Sequence, residues 1–409
     1  MRLLSTLLNK LITKGTLCVL DHTGKLHTFA GQPAEPKVTI QIHDPKLYNR
    51  LVLKPDIAAA EGYMDGTLTF EDGASLLDFL TLMVMNTENM TKHPVQNLVR
   101  RVRKSLKRLH EFNPISKSRE NASHHYDLTE ELYRMFLDDD MQYSCGYFTN
   151  PDTDTLEQAQ TAKKRRIAAK LDLEDGMSVL DIGCGWGGMG LYLAQVADVK
   201  VTGIALAKEQ LRVANARAEE MKLTDRVSFE YQDYREVTQK YDRIVSVGMI
   251  EHVGAQHLDE YFSSVQKLLK PGGRAVIHSI GRQNAPGTTN AFIRKYIFPG
   301  GYSPSISEAF ASVERVGLWV DDCEVWRLHY YYTIMHWRER FLAHWDEALK
   351  LYDVRFCRMW EFYLTGVALG FKYGTNMNFH LILSHLRDDV PITRDFIGKN
   401  ERALKKRGL

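Results

Sequence analysis

From residue 177 to residue 280 the chain alternates short apolar runs with amphipathic stretches in a regular order. The pattern predicts strands at 177–182, 199–206, 227–233, 242–250 and 273–280, with helices at 187–197, 207–222 and 256–269. Strands and helices alternating at these lengths imply an α/β fold with a doubly wound, mostly parallel sheet. A ligand then lies beyond the carboxyl ends of the strands, where the strand order reverses. Residues 1–95 read differently. Short strand patterns at 16–20, 25–29 and 37–42 alternate with helical ones at 55–63 and 74–85, as in a small α+β domain. Residues 96–122 are basic, then rich in Asn, Pro and Ser, and read as a connection; 123–409 hold the larger domain. Late in the sequence Trp337, Phe341, Trp345, Tyr352, Phe356, Trp360, Tyr363 and Val367 form an aromatic stripe at helical spacing. Core packing explains such a stripe; an aromatic-walled tunnel for a long apolar substrate is the alternative.

The first strand of the larger domain runs into Asp181-Ile182-Gly183-Cys184-Gly185-Trp186-Gly187-Gly188, and a helical pattern follows. A strand ending in a glycine turn that opens a helix lets backbone approach a nucleotide-like cofactor closely. The spacing of Gly183, Gly185 and Gly188 does not by itself separate a dinucleotide site from others. A dinucleotide site wants an acidic residue at the end of the next strand, and Val201-Thr202-Gly203-Ile204-Ala205-Leu206 has none. With the strand Tyr241–Gly248 and the turn Leu269-Lys270-Pro271-Gly272-Gly273, the arrangement matches the S-adenosylmethionine-dependent methyltransferase fold. The cofactor it implies is S-adenosylmethionine, and the reaction a methyl or methylene transfer.

Composition narrows the partners. With 44% hydrophobic and 25% charged residues, the protein is ordinary for a globular one. A net charge of +2 argues against a global field for nucleic acid. Charge is concentrated in one place: the run Arg100–Arg108 carries six cations and no acid. It reads either as a solvated linker or as a patch for anionic lipid headgroups, where each cation contributes about 1 kcal/mol. Five scattered cysteines without a C-x-x-C pair suit a reducing cytosol. The start, Met1–Lys10, is short in apolar length for a signal peptide or a membrane span, though it would serve as an amphipathic interfacial helix.

Further motifs surround the glycine turn. Tyr143-Ser144-Cys145-Gly146-Tyr147-Phe148 precedes it, and His125-Tyr126-Asp127 comes earlier still. Gln232-Asp233-Tyr234-Arg235, Ser246–Gly254 around Glu251, Lys295–Gly300 and His329-Tyr330 follow it. Together they resemble the cyclopropane-fatty-acyl-phospholipid synthases; mycolic acid cyclopropane synthases and related methyltransferases share much of the set. The resemblance covers roughly residues 120 to 375, and the N-terminal domain more loosely through Gly62–Gly66. It implies a seven-stranded, Rossmann-like methyltransferase sheet beside a smaller N-terminal α+β domain that engages lipid. It also implies a reaction in which S-adenosylmethionine methylates the cis double bond of a phospholipid's fatty acyl group. The resulting carbocation loses a proton and closes to a cyclopropane, with bicarbonate as the base. Carried over by motif position, the catalytic set is Cys145, Glu251, His278, the backbone of Ile280 and Tyr330. The cofactor set is Tyr126, Tyr143, Ser144, Asp181, Gly183, Gly185, Gln210, Asp233, Tyr234 and Arg235, with no metal. A homodimer, cytoplasmic and peripheral at the inner face of the membrane, is the assembly and location implied.

Chemistry makes sense of these residue types. An alkene is a weak nucleophile and must be aligned with the methyl donor, and the cation that follows must be kept from water. Aromatic faces stabilise positive charge without attacking it. Each residue also has a plainer reading: Cys145 as a small buried hydrophobe, His278 as a satisfied core histidine, and Tyr330 as one of three neighbouring tyrosines. Two positions depart from related sequences. Ala205 and Ala207 replace hydroxyl residues, and Val367 stands where some relatives carry cysteine. One rival function is methylation of acyl carbon that stops before ring closure, giving a methyl-branched or methylated unsaturated fatty acyl lipid. Another is a non-catalytic lipid-binding protein on a methyltransferase scaffold. A small-molecule N-methyltransferase is a further alternative.

Overall fold

The computed structural model describes residues 1–87 and 128–408. Tyr126, the connection 96–122 and the basic run Arg100–Arg108 lie outside the described residues. Two compact units emerge, and they do not follow sequence order. The first takes residues 1–87, 288–299 and 334–374; the second takes 128–287, 300–333 and 375–408. Sequence patterning placed a boundary near residue 95 and kept everything beyond 122 in one domain. Segments 288–299 and 334–374 instead belong with the N-terminal unit, because the helix Val354–Lys372 packs on the helices Pro55–Met64 and Leu76–Met85.

The first unit is built on a four-stranded sheet: β1 (Thr16–Leu20), β2 (Leu26–Ala30), β3 (Lys37–Ile42) and β4 (Leu68–Glu71), in the order β2-β1-β3-β4. Its first helix, Arg2–Leu11, buries Leu4, Leu8 and Leu11, one stripe at spacings of four and three. The helix Leu76–Met85 starts at a capping box in which Ser75 and Asp78 satisfy each other's backbone N–H groups. The aromatic stripe spreads over three successive helices, His329–Ala343, Trp345–Leu351 and Val354–Lys372. Trp337, Phe341 and Trp360 are buried, and the Tyr352 and Phe356 rings stack at 3.9 Å. Trp337, Phe341, Trp360 and Tyr363 pack as core, while Trp345, Tyr352, Phe356 and Val367 are half-buried. An apolar cavity of about 370 Å³ does exist in this unit, but the helix Val354–Lys372 lines it with a neighbouring face, Phe362, Gly366 and Leu369.

The second unit carries a seven-stranded sheet, from β5 (Ser178–Ile182), β6 (Lys200–Ala205), β7 (Val227–Tyr231), β8 (Tyr241–Val247), β9 (Leu269–Arg282), β10 (Trp319–Trp326) and β11 (Asn376–Ser384). Their order is β10-β11-β9-β8-β5-β6-β7. The five strands from β9 to β7 run parallel, and β11 and β10 add antiparallel pairs at one side. The order reverses at β5, which places the glycine turn at the crevice that sequence patterning leads one to expect. β8 ends at Val247, three residues early, because Gly248 takes φ +69° and the backbone turns into a short 3₁₀ segment, Ile250–His252. That break puts Glu251 in the 3₁₀ segment beyond the strand end. Among the described residues no helix is long and apolar enough to cross a membrane.

Candidate active site

The glycine turn forms as its residues require. Gly183, Gly185 and Gly187 all have positive φ, and Gly187 starts the helix Gly188–Val196. A Cβ on Gly185 would meet nothing within 4 Å, so backbone there faces open space. At Gly188 the requirement is closeness: a Cβ would sit 2.3 Å from the Gln142 amide and 2.4 Å from the Asp140 carboxylate. The cavity over the turn is lined by Gln142, Tyr143, Ser144, Asp181, Gly183, Gly185, Gln210 and His252, among others. Six of the expected cofactor residues therefore meet: Tyr143, Ser144, Asp181, Gly183, Gly185 and Gln210. Asp181 is buried with Oδ2 lacking a partner among the described residues, and burial lifts its pKa to about 7 against the pull of the Gly190 N–H and Lys163. An orphaned polar atom beside open glycine backbone fits a cofactor rich in hydrogen-bond donors.

Asp233, Tyr234 and Arg235 lie outside that lining. Arg235 donates to both Asp233 oxygens, at 2.8 and 2.7 Å, and its guanidinium lies 5.4 Å from the Tyr234 ring centre. Asp233 also accepts the Arg235 backbone N–H at 3.0 Å, closing its own turn. His252, next to Glu251, also lines the cavity; burial lowers its pKa to about 4 and keeps it neutral.

One residue that sequence patterning did not single out sits directly beneath. Lys163, on the helix Leu156–Leu171, is fully buried and donates to Gln142 Oε1 and, at 2.7 Å, to Ser144 Oγ, both cavity residues. Desolvation lowers its pKa to about 7, offset in part by Asp138 and Asp140. A signal was present: Lys163 and Lys170 fall in phase with the buried residues Leu156, Ala159, Gln160 and Ile167 of that helix. Lysine at an apolar phase calls for a partner.

The expected catalytic residues arise from four places. Glu251 is buried after β8. Its Oε1 accepts the backbone N–H of Ile280, while Oε2 has no partner among the described residues. Desolvation raises its pKa to about 7, opposed first by the Ile280 N–H. The Ile280 amide, part of the expected backbone contact, thus donates to Glu251 and orients its carboxyl. His278, on β9, stands opposite His380 of β11, with rings 4.4 Å apart, and burial holds its pKa well below the ordinary range. The Asn378 amide nitrogen lies 2.8 Å from His278 Nε2. An amide NH₂ only donates, so Nε2 accepts and the ring proton sits on Nδ1, which is buried and has no partner among the described residues. Cys145 is wholly buried; its thiol donates to the Gly146 carbonyl at 3.3 Å, and burial drives its pKa up, so it stays a thiol. The Gly146 N–H donates to Thr333 Oγ1 at 2.9 Å, which ties this segment to the first turn of the helix that carries Tyr330. Of Tyr330, Tyr331 and Tyr332 only Tyr330 is buried, which favours it over its neighbours for a role in a dry site.

Comparison with known proteins was made against this geometry. A family model described as mycolic acid cyclopropane synthetase matches residues 114–381. The cyclopropane-fatty-acyl-phospholipid synthase of Escherichia coli is 38% identical over 335 residues, covering 81% of this protein and 84% of that one. Tuberculostearic acid methyltransferase UfaA1 of Mycobacterium tuberculosis is 33% identical over 361 residues, covering 85% and 83%. Among solved structures, the cyclopropane synthase MmaA2 from Mycobacterium tuberculosis superposes with a TM-score of 0.63 at 31% identity, covering 67% of this protein and 99% of that one.

Proposed function

The protein belongs to the mycolic acid cyclopropane synthetase family, and from that premise we propose how its site works. It is an S-adenosylmethionine-dependent methyltransferase that transfers a methylene to the double bond of an unsaturated acyl group and closes a cyclopropane. The finer reading is that the acceptor is the cis double bond of a phospholipid. One observation carries the site assignment: a buried carboxylate oxygen, Glu251 Oε2, and a buried imidazole N–H, His278 Nδ1, in the unit that holds the glycine turn, have no partners among the described residues. Buried polar atoms are ordinarily paired, which supports the reading that these two meet something the protein binds.

S-adenosylmethionine, when bound, supplies an electrophilic methyl group. The protein's own residues do the rest. Gly183 and Gly185 give the donor room, Gln210 and Asp181 offer it polar atoms, and Lys163 fixes Gln142 and Ser144 at its edge. A burial-raised carboxyl at Glu251 is suited to exchanging a proton near neutral pH. Bicarbonate, when bound, would supply a small oriented base; Glu251, His278 and Tyr330 are the side chains that would hold it, with Ile280 acting through Glu251 and Cys145 shaping the wall. An acceptor oxygen and a neutral donor together suit an anion that carries one proton.

Peripheral association with the cytoplasmic face of a membrane belongs to the same reading and is supported by the Arg100–Arg108 run; a homodimer is supported by the family resemblance. A second reading, methylation without ring closure, is favoured by the similarity to the tuberculostearic acid methyltransferase. Purified protein, S-adenosylmethionine and monounsaturated phospholipid vesicles test the choice. A cyclopropane and a methylated alkene both add one CH₂, so mass does not separate those two; a saturated methyl-branched chain is two hydrogens heavier. Proton NMR showing upfield cyclopropyl signals supports the ring, and surviving olefinic or new methyl-branch signals in their place would overturn it.

A further inference from the structure

The first unit contains a second recess, apart from its apolar cavity. It measures about 790 Å³ and is lined by Arg50, Lys54, Arg294 and Lys295 against a single carboxylate, Glu61, with Leu53, Ile57 and Ala58 between them. The carboxylate is already committed. Glu61 pairs with Arg50, accepts from Lys295 Nζ at 2.7 Å, and accepts from the Tyr296 hydroxyl at 2.7 Å. Burial works against its charge, but Lys295, Tyr296 and Arg50 outweigh it and hold the carboxyl below its ordinary value. Among the described residues neither Lys54 nor Arg294 has a carboxylate partner, so the cleft keeps an excess of positive charge facing its own interior. A concave site of one sign concentrates ligands of the other.

We propose that this cleft binds the phosphate of an anionic phospholipid, through Arg50, Lys54 and Arg294. The inference rests on the lipid-modifying function proposed above, and it names a headgroup contact for that function. Two observations favour a lipid over a free phosphate. Leu53, in the lining, is 67% exposed, an apolar side chain held in water beside cations. The helix Pro55–Met64 also divides the cleft from the apolar cavity of about 370 Å³: Ile57, Ala58 and Glu61 face the cations, while Pro55, Asp56 and Ala59 face the hydrocarbon-lined side. Asn290 and Ala291 divide in the same way. Gly366 keeps the apolar cavity open, since a Cβ there would meet no atom within 4 Å. A cationic recess and an apolar chamber flanking one helix are the two chemistries of a phospholipid.

Vesicle flotation of the full-length protein tests this, with phosphatidylcholine vesicles against vesicles containing phosphatidylglycerol. Each cation near an anionic lipid surface contributes about fivefold in binding. The double variant Lys54→Gln/Arg294→Gln should therefore lose about thirtyfold of the preference for phosphatidylglycerol, and Lys54→Arg/Arg294→Lys should keep it. Calorimetric binding of S-adenosylmethionine verifies that each variant is folded. An unchanged preference in the glutamine variant overturns the site. Displacement of wild-type protein by millimolar glycerol 3-phosphate as effectively as by a soluble, short-tailed phosphatidylglycerol would assign the cleft to free phosphate and overturn the lipid. Failure of the underlying function is a separate result: wild-type protein would then make no modified acyl group from any vesicle, whatever the headgroup.

Discussion

Glu251 accepts the backbone N–H of Ile280 on one carboxylate oxygen and keeps the other buried, without a partner among the described residues. The strand-end amide thus fixes the carboxyl's orientation without neutralising it. Glu251→Gln preserves the shape and the bond to Ile280 but removes the exchangeable proton. Turnover should fall about a hundredfold or more, the scale of a positioned acid–base group, while calorimetry still registers S-adenosylmethionine binding. Near-normal turnover would remove Glu251 from the chemistry.

The same residue sets a pH window. Burial lifts the Glu251 carboxyl to about 7, so its acceptor form is lost as pH falls through that value. His278 is held well below its ordinary pKa and stays neutral across the window. The acidic limb of kcat should therefore bend near pH 7. Lys163 and Asp181 also titrate near 7, so the profile should be repeated in Lys163→Met and in Asp181→Asn, where a limb that persists in both belongs to Glu251. Stability follows with opposite sign. A pKa raised on folding gives stability that is complete below the unfolded value, near 4.5, and is lost as pH rises through 7. Thermal unfolding at pH 8 should then show Glu251→Gln more stable than the parent, with the gain vanishing near pH 4. This is the trade of stability for activity that buried catalytic carboxyls impose.

How much of this was readable in advance follows from where each signal resides. The glycine turn was legible because its chemistry is local: residues 183, 185 and 187 need positive φ whatever surrounds them. The parallel strands were legible for the same reason, as short apolar runs. β10 was not, since Trp319-Val320-Asp321-Asp322-Cys323-Glu324-Val325-Trp326 carries three acids and pairs only at the sheet's end. His380 and Asn378 were missed with it, because their meeting with His278 depends on the register of β11 on β9 and not on any spacing in the sequence. The grouping of 334–374 with the N-terminal unit was hidden likewise. A helix stripe shows that a helix has a buried face but not which partner covers it.

Lys163 offers a sharper test of the donor side. Its buried ammonium anchors Gln142 and Ser144, and a methionine of similar length keeps the packing while deleting both hydrogen bonds. Leaving two buried acceptors without their donor costs about 1–3 kcal/mol each, part of which should appear as looser donor binding. Lys163→Met should raise the Kd for S-adenosylmethionine about tenfold or more, with the KM for lipid little changed. A purely structural role would lower the melting temperature and leave the ratio of the two constants untouched.

In the first unit the comparable commitment is an ion pair. Arg338 donates to Glu361 Oε1 at 2.9 Å and to Thr365 Oγ1 at 2.9 Å, and the Tyr63 hydroxyl donates to the other Glu361 oxygen at 2.7 Å. Both charged side chains are about 10% exposed, so salt will not screen them well. Removing one partner of a buried pair strands the other charge and costs about 3–5 kcal/mol, whereas replacing both with apolar groups of similar volume is often neutral. Glu361→Ala should therefore lower the first unit's melting transition by several degrees, and Arg338→Met/Glu361→Leu should recover most of the loss. Because the helix Val354–Lys372 also presents Phe362, Gly366 and Leu369 to the apolar cavity, the single variant should open that cavity to hydrophobic dyes before global unfolding. A melting curve insensitive to Glu361→Ala would mean that the pair contributes nothing beyond its own desolvation.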